Sequence, residues 1–142
     1  MAILAEKHID MRIKHLEFIQ ALITRMAGYS ATLKNYCVTV VTALAGLAFT
    51  LKDANLIGMA ALAALAFAFL DTRYLQLERA YRTVYDDVRN ENWESLPSFD
   101  LKPHHVDKHP FLRALWSWSV SGFYMPLLLV ILVLFYVARC MT

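Results

Sequence analysis

Two charge-free apolar runs, residues 35–51 (NYCVTVVTALAGLAFTL) and 56–70 (LIGMAALAALAFAFL), are separated by only Lys52-Asp53-Ala54-Asn55. A bilayer core about 30 Å thick takes roughly 17 to 25 helical residues to cross. Each run nears or reaches that length once its polar flanks are counted, so the pair is predicted to form a hairpin that turns at one membrane face. A third run, residues 114–138, ends at Arg139 and is long enough to span alone. Lipid offers the backbone no hydrogen-bond partners, and none of the runs alternates inward and outward residues as barrel strands do, so each must be a helix. The expected fold is an all-α integral membrane protein with three transmembrane helices, built as one membrane domain.

Composition agrees with that expectation. Only 18% of residues are charged, and the mean hydropathy is +0.42, which suits lipid better than a soluble core. The formal net charge is +2, and no basic stripe tracks a phosphate backbone, so no nucleic-acid partner is expected. The opening MAILAEKHID lacks the apolar core and small-residue cleavage site of a secretory signal, leaving the first span to direct insertion. Lys and Arg are crowded into residues 1–34 and 71–113, with one (Lys52) in the turn and one (Arg139) in the tail. Positive residues stay inside, so the N-terminus and residues 71–113 are expected in the cytoplasm and the turn and C-terminus outside. Cys37 and Cys140 then lie on opposite faces, and no disulfide within the chain is expected.

Before the first span, Ile9, Ile13, Leu16, Ile19, Ile23 and Met26 follow one another at steps of three and four, one face of a helix. The pattern predicts a single long helix over residues 6–51, with Gly28 as the expected bend. The second helix, residues 55–90, carries Tyr74, Leu77, Tyr81, Val84 and Val88 beyond its span at the same steps. With the turn centred near residues 53 and 54, residues whose numbers add up to about 107 stand at equal height in an antiparallel pair. This sets Tyr81 beside Met26, Val84 beside Ile23 and Val88 beside Ile19. The hairpin is therefore expected to extend into the cytosol as a two-helix stalk, with Glu78, Arg82 and Asp86 on its wet face and its tyrosines packing on other copies. Arg25, Arg79, Arg82, Met26 and Tyr81 are the expected stalk contacts.

Inside the membrane, small residues recur four apart at Thr42, Gly46 and Thr50 and at Ala60, Ala64 and Ala68. Such faces let helix backbones approach, either within the hairpin or between subunits. Residues 91–109 lose all periodicity around Pro97 and Pro103 and form a linker; Trp93, Phe99 and Leu101 suggest that it folds back on the stalk. The third span, residues 110–139, is expected to start at Pro110, to carry Trp116, Trp118 and Tyr124 on its inner side, and to kink at Pro126.

Little in the chain points to chemistry. His104, His105, Asp107 and His109 crowd a proline-punctuated loop, but their spacing is poor for a closed zinc site, so no metal or cofactor is expected. No nucleophile with a matched base and no phosphate-binding loop is visible, and no catalytic residue is assigned. Asp71 and Arg73 sit at the inner boundary, where their charges are expected to reach water, so the spans hold no buried ionisable group of the kind that pumps use. The remaining polar groups in the spans are hydroxyls, which line a water path or bond back to their own helix.

The segments at residues 19–34 (IQALITRMAGYSATLK), 52–55 (KDAN) and 71–87 (DTRYLQLERAYRTVYDD) resemble the SLATT-type small bacterial membrane proteins, over about residues 12–90. In that group a membrane hairpin with cytosolic helical extensions accompanies nucleotide-signal synthases or other anti-phage sensors. The resemblance implies a pore-forming effector that breaches the inner membrane when a partner encoded nearby detects infection. Three spans in one protomer cannot enclose a conduit, so such an effector acts as a homo-oligomer in the bilayer. The alternative is a non-conducting anchor or scaffold that recruits a cytosolic partner through its stalk. Neither reading makes it an enzyme.

Overall fold

The computed structural model describes residues 2–93, 95–103, 106 and 110–141, with residues 2–5 and 141 known by backbone alone. The described residues are helical or irregular, with no strand among them. Helix α1 (Ala2–Leu51) is joined by a tight turn to α2 (Asn55–Asn90); the short α3 (Phe111–Leu115) and then α4 (Trp118–Met141) follow the linker. Three helices are long and apolar enough to cross a membrane.

Fifty residues without a proline let α1 run unbroken through Gly28 and Gly46. It ends where Lys52 takes a left-handed φ of 54° and the Asp53 N–H reaches back to the Ala48 carbonyl at 3.0 Å. That 6→1 closure is a Schellman ending, which occupies a carbonyl the helix would otherwise leave open. Asp53 then accepts the Asn55 N–H on its side chain at 2.9 Å, starting α2 within three residues.

The two helices pack along their length. On α2 the buried line runs Ile57, Ala60, Ala64, Ala68, Thr72, Gln76, Ala80, Val84 and Val88, nearly all four apart, so one narrow ridge faces α1. Against it α1 sets Ile19, Ile23, Ser30, Cys37, Val41 and Ala48. The alanines at 60 and 64 are fully buried, so these small side chains bring the two backbones together within the hairpin. α4 adds Val120, Tyr124, Ile131 and Ala138 to the same core.

Two apolar clusters result. The larger joins Cys37, Val41, Ala48 and the alanine ridge to α4. The smaller holds Ile19, Ile23, Val84 and Val88, with Leu16, Tyr81 and Tyr85 packed on it. A layer of polar side chains, Ser30, Asp71, Thr72 and Gln76, lies between them.

Two features depart from the sequence reading. The third apolar segment is not one helix: Trp116 leaves helical geometry at φ −80° and ψ 8°, and α4 starts anew with the Ser117 carbonyl accepting the Val120 and Ser121 N–H groups. The break frees α3 to follow α2, with Phe111 against Phe69 at 5.4 Å. Ile9 and Ile13 do not continue the buried stripe and remain exposed, because Arg12 and His15 take the inner face there. Tyr74 is half-buried and its ring meets that of Tyr29 at 5.4 Å.

Replacing Ala64 by Leu forces a large side chain into the closest part of the hairpin, where overpacking costs about 1–3 kcal/mol. We expect a lower thermal midpoint in detergent, followed by helical circular dichroism, whereas Leu62→Ala on the exposed side of the same turn changes little.

Candidate functional site

The polar layer holds the one fully buried carboxylate among the described residues. Ser30 and Lys34 stand one turn apart on α1, so both point at the same spot on α2, where Asp71 follows the last apolar residue of its run. The Lys34 ammonium lies 2.6 Å from Asp71 Oδ2. Ser30 donates its hydroxyl to Asp71 Oδ1 at 2.5 Å and accepts from Lys34 Nζ at 2.8 Å. The three groups close a triangle.

Helix α4 covers it. Tyr124 is 3% exposed, with its hydroxyl buried next to Asp71 and Cys37. Lys34 Nζ also lies 6.0 Å from the centre of the Phe123 ring. Asp71 is completely shielded and Lys34 keeps 18% of its side chain accessible, so the lysine is the end of the pair nearer solvent. A lone carboxylate cannot remain charged where water is excluded; the ammonium and the hydroxyl together replace its hydration. These contacts bind α1 to α2, and Phe123 and Tyr124 of α4 lie over them.

A hydroxyl between an amine and a carboxylate has the parts of an activated nucleophile. The setting does not suit acyl transfer. Ser30 lies in mid-helix, where backbone N–H groups are spent on the helix itself and offer no oxyanion hole. The arrangement can hold, release or exchange a charge.

A second polar node lies at the far end of the hairpin. The Arg12 guanidinium, fully buried, donates to the carbonyls of Val88 (3.2 Å), Asn92 (3.0 Å) and Ser95 (3.1 Å) and pairs with Glu91 at 2.6 Å. It thereby occupies one carbonyl in the last turn of α2 and two just beyond it, a favourable place for a cation. His15 Nε2 donates to the Asp100 carbonyl at 3.2 Å, and its ring meets Phe99 at 5.1 Å. The linker is strapped back onto α1 by these two side chains.

The residues singled out in the sequence fall into several places. Ala60, Ala64 and Ala68 are buried between α1 and α2, while Thr42, Gly46 and Thr50 are exposed on the outer side of α1. Thr50 bonds back to the Gly46 carbonyl at 2.9 Å, as Thr39 does to Asn35 and Ser121 to Ser117. Met26 and Tyr81 are half-buried, and Tyr81 packs on the smaller cluster. Arg79 reaches the Arg113 carbonyl at 3.4 Å; Arg82 pairs with Glu78 at 2.8 Å; Arg25 is exposed in a shallow groove with Phe18, Leu22 and Leu101. Cys37 and Cys140 are free thiols. His104, His105, Asp107 and His109 lie outside the described residues.

Asp71 does not reach water, contrary to its expected place at the boundary, because Tyr124 and the partner helix cover it. The signal was available: the height rule that pairs Ile19 with Val88 also puts Lys34 within a turn of Asp71, and Arg12 level with Ser95. An apolar-periodicity search passes over both, since it scores charged residues only as breaks.

Removing one charge of a buried pair leaves the other uncompensated, at a cost of about 3–5 kcal/mol. Lys34→Met or Asp71→Asn alone is expected to lower the thermal midpoint, and the double variant to recover most of the loss; additive losses in this cycle would show that the pair does not couple the helices. Arg12→Ala removes several charge-assisted hydrogen bonds worth about 1.5–3 kcal/mol each. Limited proteolysis within residues 91–103 should speed up, while cleavage in the apolar helices stays unchanged.

Comparison with protein-family models, with curated proteins and with solved structures gives no match.

Proposed function

We propose that the chain is a multi-pass protein of the bacterial inner membrane that assembles with copies of itself and permeabilises or depolarises the membrane when a cytosolic partner triggers it, in anti-phage defence. The observation that carries this reading is the bare outer side of α1. Thr42, Gly46 and Thr50 are exposed, and a Cβ added at Gly46 meets nothing within 4 Å. In a bilayer such a face favours close approach of a second helix, and the protomer's own helices leave it uncovered.

The other end of the hairpin points the same way. At 1.5 Å per residue α1 is about 75 Å long and α2 about 54 Å, both well beyond a 30 Å hydrocarbon core. On this reading their remainders project into the cytosol as the stalk, with the N-terminus in the cytoplasm and the C-terminus in the periplasm as the Lys/Arg bias favours. There Ile9 and Ile13, one turn apart on the same face, stay 41% and 43% exposed. Large apolar groups grouped on a wetted helix mark a contact surface. The SLATT-type resemblance of residues 19–34, 52–55 and 71–87 supplies the defence context.

The anchor reading draws on one feature, the groove of Phe18, Ala21, Leu22, Arg25 and Leu101, which offers a cytosolic protein a seat without any conduit. Gly46→Leu separates the two readings. Since the protomer has room for it, the variant should fold and insert as before. In an effector it prevents assembly and depolarisation, with a smaller particle in native mass measurements; an anchor tolerates it. The direct test is a voltage-sensitive dye in cells expressing the chain with and without its genomic neighbours. Loss of potential is expected with the trigger present, and unchanged polarisation under every condition overturns the effector.

A further inference from the structure

The buried triangle at Ser30, Lys34 and Asp71 is more than hairpin packing needs, since a pair of apolar side chains would hold α1 to α2 at least as well. An ionisable residue shut away from water at the end of a membrane-spanning segment is a candidate functional group. Its location narrows the function. Tyr124, buried over the pair, also lines an apolar cleft of about 200 Å³ between α2 and α4, with Leu65, Ala68, Val120, Met125 and Leu128. The ring has space to move away from the carboxylate. The apolar faces between α4 and the hairpin gain no hydrophobic preference for each other over lipid.

We propose that the Lys34–Asp71 pair is the gate of the assembly: closed, the two charges cancel beneath Tyr124; open, α4 leans away and Asp71 presents a bare carboxylate to permeating inorganic cations. This rests on the effector reading and names the residue that gates it and sets its ion preference. Lys34, the partly accessible member, is free to carry its ammonium toward the cytosolic headgroups when the pair parts. Asp71, fully shielded where Lys34 is partly accessible, has no such route and remains as the cation-attracting group. A ring of such carboxylates, one from each copy, is a known physical basis of cation preference.

The test uses the purified full chain in vesicles of phosphatidylethanolamine and phosphatidylglycerol, under a potassium chloride gradient. Removing one partner of a buried pair should raise resting leak by about tenfold or more, in both Lys34→Met and Asp71→Asn. The reversal potential of Lys34→Met should favour K⁺, and that of Asp71→Asn should lose this preference. The neutral double variant and the exchanged pair K34D/D71K should both be as tight as the unaltered chain. Tyr124→Phe, which keeps the ring and the packing, should leak more than the unaltered chain and covers the case in which a single-charge variant does not insert. If all these proteins leak equally and with one selectivity, the gate is overturned while the effector stands. If none passes ions, including the unaltered chain under its trigger, both are overturned.

Discussion

Asp71 sets the terms for the rest of the chain. A carboxylate shut away from water needs a cation and a donor in fixed positions, and here both come from one face of α1, a single turn apart. Only one register of the hairpin supplies them. Sliding α1 by a residue turns Ser30 and Lys34 about 100° around the helix axis and removes both. Apolar packing alone tolerates such slips better, because alanine ridges look much alike from one turn to the next. The charge pair therefore specifies the alignment and the alanines provide the closeness; the Schellman turn at Lys52 keeps the connection too short for other choices.

The division of the core follows from the same layer. Above and below the triangle the packing is apolar, and each cluster has its own character. The larger is built from alanine, valine and the α4 face, allowing near contact of backbones over the length of the spans. The smaller uses isoleucine, valine and tyrosine, side chains that hold two helices together in water by burial of area. A single helix pair thus changes from one packing regime to the other at the height of Asp71. On the proposed membrane arrangement that height is the inner boundary of the bilayer, where the two solvents change over.

Much of this is written locally in the sequence. Helicity and three long apolar helices follow from run length and from the lack of alternation, and the height rule brings Ile19 and Ile23 to the level of Val88 and Val84, with which they share a cluster. What escaped local reading depends on partners far along the chain. Arg12 lies inside although arginine scores as surface, because carbonyls at the end of α2 and in the linker supply its hydrogen bonds. Ile9 and Ile13 lie outside although they fit the stripe, because that arginine and His15 already fill the inner face. The interruption at Trp116 has no composition signal at all; a run of apolar residues reads as one helix whether or not its first turn bends away to follow α2.

The Arg12 node has a bearing on how the protein is made. Its acceptors at Val88, Asn92 and Ser95 follow it by 76 to 83 residues. Until the ribosome has produced those residues, the guanidinium lacks the acceptors that it has in the folded chain. It can be fastened only once the residues after α2 have emerged, so the first part of the chain to be synthesised is among the last to find its place.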